Sequence, residues 1–339
     1  AEEPVPSLLR GFSAPAKLKT QVTDEQLAFL AANDDDPFNR WDASQRLYAK
    51  ALLEMIESYQ AVGGDESKMA PLAQGVLDAF GATLTAEGLD PSLRAYSLVL
   101  PDFAVLEQEM AVVDADAIAT ALRVARRTLA AAFEADLMST YASLASDAPY
   151  EVNAEQVGGR RLRNTCLGYL ATLKTDMTTN LCLEQFRSAE CMTDRVGALL
   201  PLSNCPGAAS DEALSAFYER AKSEHALLVI NKWFQIQAIS DTSSVLDDVK
   251  ALINHEAFDG NNPNVVRSLV NTFAGANPAA FHAKDGKGYA FIADQVIDID
   301  KRNSQLAARL AGSFNTWRRH DEARQALQKA QLERIAAEA

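Results

Sequence analysis

Metal or acid–base chemistry would rest first on the four histidines, His225, His255, His282 and His320. None sits in H-E-x-x-H, the spacing that puts two zinc ligands on one helix face beside a glutamate that activates water. His255-Glu256 begins such a motif, but Asp259 stands at its fifth position. The expectation is therefore four separate histidines that pack or hydrogen-bond, with no catalytic residue and no metal ligand in this chain. Nucleophile and phosphate motifs are missing as well. There is no G-x-S-x-G, and Asp285-Gly286-Lys287-Gly288 lacks the full phosphate-loop pattern, so it reads as a turn ahead of a helix. Cys166, Cys182, Cys191 and Cys205 include no C-x-x-C pair and are expected as reduced, buried thiols.

Polar groups beside apolar helix faces remain. Asn303 is placed to cap a helix that turns Leu306, Leu310 and Phe314 inward. Gln305 and Arg309, four apart, share one face of it. Arg267 lies on a helix opened by Asn262-Pro263, whose core face is Val266, Leu269, Val270 and Phe273. Two readings stand for these side chains. They are surface groups of little energetic weight, or they form an anion site, because arginine forks suit a peptide's terminal carboxylate.

The elements that must carry these residues are helices. Thr23 and Gln26 form a capping-box pattern, and Asp34-Asp35-Asp36-Pro37 is a turn with a cap. Phe38, Trp41, Tyr48, Leu52, Met55 and Tyr59 then fall on one stripe, ended by Gly63-Gly64. From about 115 to 145, Ile118, Leu122, Ala125, Leu129, Phe133, Leu137, Tyr141 and Leu144 step by three and four, which predicts one long helix. Further helices are expected near 154–172, 176–189, 210–239, 243–254, 264–276, 286–300, 304–315 and 321–337. The loops between them are short, so neighbours run antiparallel. The fold class is all-α, an α-solenoid of stacked antiparallel helix pairs (an armadillo- or HEAT-like superhelix), though no clean repeat period is present. Residues 1–20 differ. Pro4, Pro6 and Pro15 with Val5, Leu8, Leu9, Phe12 and Leu18 read as extended segments, too few to make a sheet alone. Either they lie on the helical domain, which is 21–339, or they are the end of a preceding β-domain.

Composition limits the function classes. The net charge of −14 over 339 residues disfavours a nucleic-acid surface, and the basic runs Arg160, Arg161, Arg163 and Arg318, Arg319 are short. No apolar run is long enough to cross a membrane. AEEPVPSLLR lacks a signal peptide's basic start and apolar core, and with the reduced thiols this points to the cytosol.

One stretch is unlike ordinary amphipathic helix. Residues 262–291, NPNVVRSLVNTFAGANPAAFHAKDGKGYAF, hold two Asn-Pro helix openings and a turn with two glycines that are free to take positive φ. Together with PSLLRGFSAPAKL (6–18), NDDDPFNRWDASQRL (33–47), NKWFQIQAIS (231–240) and RNSQLAARL (302–310), it resembles the C-terminal helical domain of bacterial aminopeptidase N, of the gluzincin zinc peptidases. The resemblance implies a cap over an active-site chamber. Zinc, the H-E-x-x-H motif and the G-x-M-E-N motif would lie in upstream catalytic domains of the same polypeptide, with no cofactor in this chain. SLLRGFSAP would end a β-sandwich, and Arg267, Gln305 and Arg309 would line the channel that holds peptide substrates. A stand-alone solenoid scaffold for protein partners is the alternative.

Overall fold

The computed structural model describes residues 4–14, 16, 20–146 and 148–339. Among them every named element is helical, and the only β pairing is an isolated parallel bridge between Val113 and His320. The chain divides into two compact units. One comprises Ala1–Gln108 and Ala117–Ala198, the other Glu109–Asp116 and Leu199–Ala339. Within each unit helices pack mostly on close sequence neighbours, the local pattern of a solenoid. Asp24–Asn33 lies on Pro37–Ala61 and Gln74–Leu84 in the first unit. Lys287–Asp300 lies on Ser304–Ala311 and Glu322–Glu338 in the second.

Local signals read from sequence hold where backbone groups decide. Thr23 and Gln26 form a complete capping box. Asp36 accepts hydrogen bonds from the Phe38 and Asn39 amides, both at 3.0 Å, and Pro37 opens the helix. The N-terminal segment contains no strand among the described residues. Arg10–Phe12 is instead a short 3-10 turn, and Pro15 and Leu18 lie outside the described residues. The capping Asp36 and its neighbours Asp34 and Asp35 also hold this segment. Arg10 pairs with Asp34 at 3.4 Å and with Asp35, and the Gly11 amide donates to Asp36 at 3.2 Å. Phe12 stacks on Phe38 at 4.5 Å.

Two predicted long helices are broken. The 115–145 stripe divides into Ala115–Ala132 and Glu134–Ser143, with Phe133 at φ −119°, ψ 26°. Phe133 there rests on Phe80, centroids 5.5 Å apart, and fills space that a Cβ on Gly81 would occupy. The 210–239 run divides into Ala208–Ser223 and Leu227–Ala238, because His225 takes φ 53°. Turning there lets Trp233 stack on Tyr218 at 4.8 Å and donate from Nε1 to the Leu214 carbonyl at 3.0 Å. In both cases tertiary packing overrides an uninterrupted apolar period. The helices Gln74–Leu84, Pro91–Leu98, Phe103–Glu109 and Met192–Ser203 were not expected from periodicity; each is short or carries a proline.

The 281–289 turn uses its two glycines differently. Gly286 has φ 68° and precedes the helix Lys287–Asp300. Gly288 is needed for closeness, since a Cβ there would lie 2.5 Å from the Phe281 carbonyl oxygen. Gly288→Ala is therefore expected to destabilise the chain by about 1–3 kcal/mol, the usual range for overpacking. Gly168→Ala, in an open helical position, should stabilise it by about 0.5–1 kcal/mol. Urea denaturation midpoints check both, and equal effects would refute the packing argument.

Candidate functional site

Arg267 stands where a helix changes its winding. Pro263–Val266 is α-helical, Arg267–Asn271 forms a π-turn, and Thr272–Ala276 resumes the α-helix. Asn262 caps it by accepting from the Asn264 amide at 3.0 Å. Val265, Val266, Leu269, Val270 and Phe273 are buried, so the expected core face is present and Arg267 faces out. Thr272 donates from both its amide and its Oγ1 to the Arg267 carbonyl, the latter at 3.1 Å. Such single π-turns shift every later side chain around the axis and often mark functional positions. The Arg267 guanidinium is held along its own helix, by Nε to the Pro263 carbonyl at 3.0 Å and by a terminal nitrogen to Asn264 Oδ1 at 2.7 Å. It meets no carboxylate among the described residues, which leaves its charge open to an anion.

Gln305 and Arg309 stand on Ser304–Ala311. Asn303 caps this helix through the Leu306 amide at 3.0 Å, and Leu306, Leu310 and Phe314 are buried, as the sequence implied. Both polar side chains are exposed on one face, and neither makes a hydrogen bond or ion pair among the described residues. Gln305 and Arg309 are thus brought together by their helix. Arg267 belongs to another helix of the same unit.

The histidines correct the expectation of four separate residues. His255 packs on Tyr218 and Trp233, and His225 forms the helix break. His282 and His320 come together, ring centroids 4.2 Å apart, both buried. His282 Nδ1 and the Tyr289 hydroxyl share a hydrogen bond of 2.9 Å. Beside them is a buried cation, Arg324. Its Nε donates to the His282 carbonyl at 2.7 Å, one terminal nitrogen to Asp321 at 2.7 Å, and the other pairs with Asp116 at 2.9 Å. Asp116 also takes Lys284 at 2.9 Å. Burial pushes the Asp116 carboxyl upward, but Lys284 and Arg324 outweigh it and hold it below the usual range. Burial, the neighbouring His320 and Arg324 together depress His282 to about 3. His320 is lowered for the same chief reason, burial, with Arg324 adding to it.

Periodicity gave no warning of this network. A histidine and a tyrosine seven apart flank a turn, and nothing in an arginine's sequence position reveals burial. The network is not a metal centre. Among the described residues no three His, Cys, Asp or Glu side chains gather in a group that could hold a metal ion. Cys166 and Cys182 are buried as expected, whereas Cys191 and Cys205 are only half-buried; none of the four is in a disulfide. No helix of the described residues is long and apolar enough to cross a membrane.

Comparison with known proteins decides the relationship. Residues 24–339 match the family described as a domain of unknown function, DUF3458_C, with ARM repeats. The chain belongs to this ARM-repeat family. The match agrees with the all-α solenoid architecture. Aminopeptidase N of Escherichia coli is 38% identical over 334 residues, which cover 98% of this chain and 37% of that protein. Aminopeptidase N of Caulobacter vibrioides is 35% identical over 340 residues, 99% of this chain and 38% of that protein. A crystal structure of Legionella pneumophila aminopeptidase A in complex with aspartic acid superposes with a TM-score of 0.83 at 29% identity, covering all of this chain and 39% of that one. The ARM-repeat domain thus spans under two-fifths of the length of these relatives and corresponds to their C-terminal part.

The His282–His320 pair has a consequence for stability. The folded-state value of His282, near 3, lies below the ordinary 6.5. Between those limits the unfolded chain binds a proton that the folded chain does not, so stability is complete above about pH 6.5 and falls as pH drops. His282 alone contributes a slope of up to ~1.4 kcal/mol per pH unit. Urea midpoints of wild type should fall more steeply from pH 6.5 to 5 than those of His282→Gln. Parallel slopes would contradict this assignment.

Proposed function

We propose that this chain is the C-terminal cap of an aminopeptidase N-like zinc exopeptidase. The observation that carries the reading is that 98–99% of the chain aligns with proteins named aminopeptidase N while covering only 37–38% of them. On this reading upstream domains of the same cytosolic polypeptide hold the zinc and cleave N-terminal residues from peptides. The helical domain closes over their chamber and restricts it to peptides. Residues 1–20 are the tail of a preceding β-sandwich and 21–339 the cap; the hold of Asp34, Asp35 and Asp36 on Arg10 and Gly11 would keep the two in register.

Arg267, Gln305 and Arg309 line the peptide channel in this proposal. Two guanidiniums without a carboxylate partner among the described residues can receive the far end or terminal carboxylate of a substrate peptide. Lysine would substitute poorly there, since the planar fork matches a carboxylate with two parallel donors.

In the complete enzyme, Arg267→Ala and Arg309→Ala should each lower kcat/KM for peptides by about tenfold, the worth of one charge-assisted hydrogen bond. Small aminoacyl anilides, which lack a terminal carboxylate, should be nearly unaffected. Equal losses on both substrates would mean a structural role. The isolated 339-residue chain, pure and metal-analysed, should bind no stoichiometric zinc and turn over no alanyl anilide; measurable turnover would falsify the assignment of chemistry to upstream domains.

A further inference from the structure

A pocket of about 360 Å³ lies in the second unit, away from the residues discussed above. Its walls come from the helices Ala208–Ser223 and Val245–Leu252, from the end of Leu227–Ala238 and from the loop that follows. That loop is fixed. Ser240 Oγ donates to the Ser203 carbonyl at 2.6 Å, the Asp241 amide donates to Asn204 at 2.7 Å, and Asn277 Nδ2 donates to the Ala238 and Ser240 carbonyls at 3.1 and 3.0 Å. The cavity is therefore formed in advance, as small-molecule sites generally are.

Its lining has one sign of charge. Asp211 and Asp248 face it, no Lys, Arg or His does, and neither carboxylate has an ion-pair partner among the described residues. Asp248 accepts from Ser244 Oγ at 2.8 Å, which orients it. Ser210 is the second, independent sign of a ligand. It is only 4% exposed, it lines the pocket, and its hydroxyl makes no hydrogen bond among the described residues. The Ser210 Oγ itself is not fully buried, which in a residue so nearly covered leaves it open to the pocket that the residue lines. Leu214, Ala251 and Leu252 supply apolar wall beside these groups.

We propose that this pocket binds a small organic cation, an alkyl ammonium or alkyl guanidinium without a carboxylate. The carboxylates of Asp211 and Asp248 take the charged head, Ser210 Oγ accepts one of its N–H groups, and the apolar wall covers the methylene chain. A divalent metal does not fit, because no three ligating side chains converge. An anion or a zwitterion does not fit either, because nothing cationic lines the pocket to meet its negative group. The site is independent of the peptide-channel reading.

Isothermal titration of the 339-residue chain with agmatine tests this. The expected result is saturable one-to-one binding that arginine, with the same guanidinium plus a carboxylate, reproduces at least about tenfold more weakly. Asp211→Asn with Asp248→Asn should weaken agmatine at least about tenfold, and Ser210→Ala should weaken it less. Amide chemical-shift changes in the wild type should centre on Ser210 and Asp248, a reading that stands even if a variant fails to fold. Absence of binding up to about 20 mM agmatine, equal affinity for arginine, unchanged affinity in the folded double variant, or shifts centred elsewhere would each overturn the proposal.

Discussion

The organisation of the second unit depends on one buried cation. Arg324 is 4% exposed in its side chain, and its guanidinium meets three segments that lie far apart in sequence: Asp116, the His282 carbonyl and Asp321. A cation taken out of water is stable only if nearly all its donors are satisfied. That requirement fixes where the segment 109–116, the 281–289 turn and the helix Glu322–Glu338 must meet. Lys284 completes the charge balance on Asp116. The His282–His320 stack sits against the same guanidinium, which is part of why both rings are held neutral.

The same requirement gives the 262–291 stretch its structural meaning. Its punctuation reads as helix openings and a turn. In the structure most of it builds geometry: Asn262 and Asn277 cap short helices, Gly288 allows the backbone to close on Phe281, and Tyr289 anchors His282. Asn277 also holds the carbonyls of Ala238 and of Ser240, and Ser240 lines the acidic pocket, so one residue serves a helix end and a cavity wall. Arg267 is the exception. It sits on the π-turn with its charge turned outward, and no packing role explains its guanidinium.

Open charge and perturbed titration fall in different places in this chain. The side chains with open charge, Arg267, Arg309, Asp211 and Asp248, are exposed, whereas the strongly perturbed His282 is buried. A perturbed histidine pair would invite a catalytic reading in another context. Here the perturbation comes from burial beside Arg324, a structural cause.

Much was legible in the sequence, for physical reasons. Caps and turns depend on one or two residues acting on adjacent backbone, so Thr23, Asp36, Asn262 and Asn303 could be placed without tertiary information, and each caps as read. Apolar period gave the helical class and the buried faces of 263–276 and 304–314. The tertiary structure alone decided where helices break, because Phe133 and His225 turn only to satisfy contacts with Phe80, Gly81 and the Tyr218–Trp233 stack. It alone decided that His282 and His320 pair, that an arginine is buried and that two aspartates share a pocket. Those outcomes depend on contacts across tens to hundreds of residues, and hydrophobic periodicity carries no record of them. The exposure of Arg267, Gln305 and Arg309 belongs to both levels: sequence put them opposite the apolar faces, and the fold left them there with no carboxylate partner among the described residues.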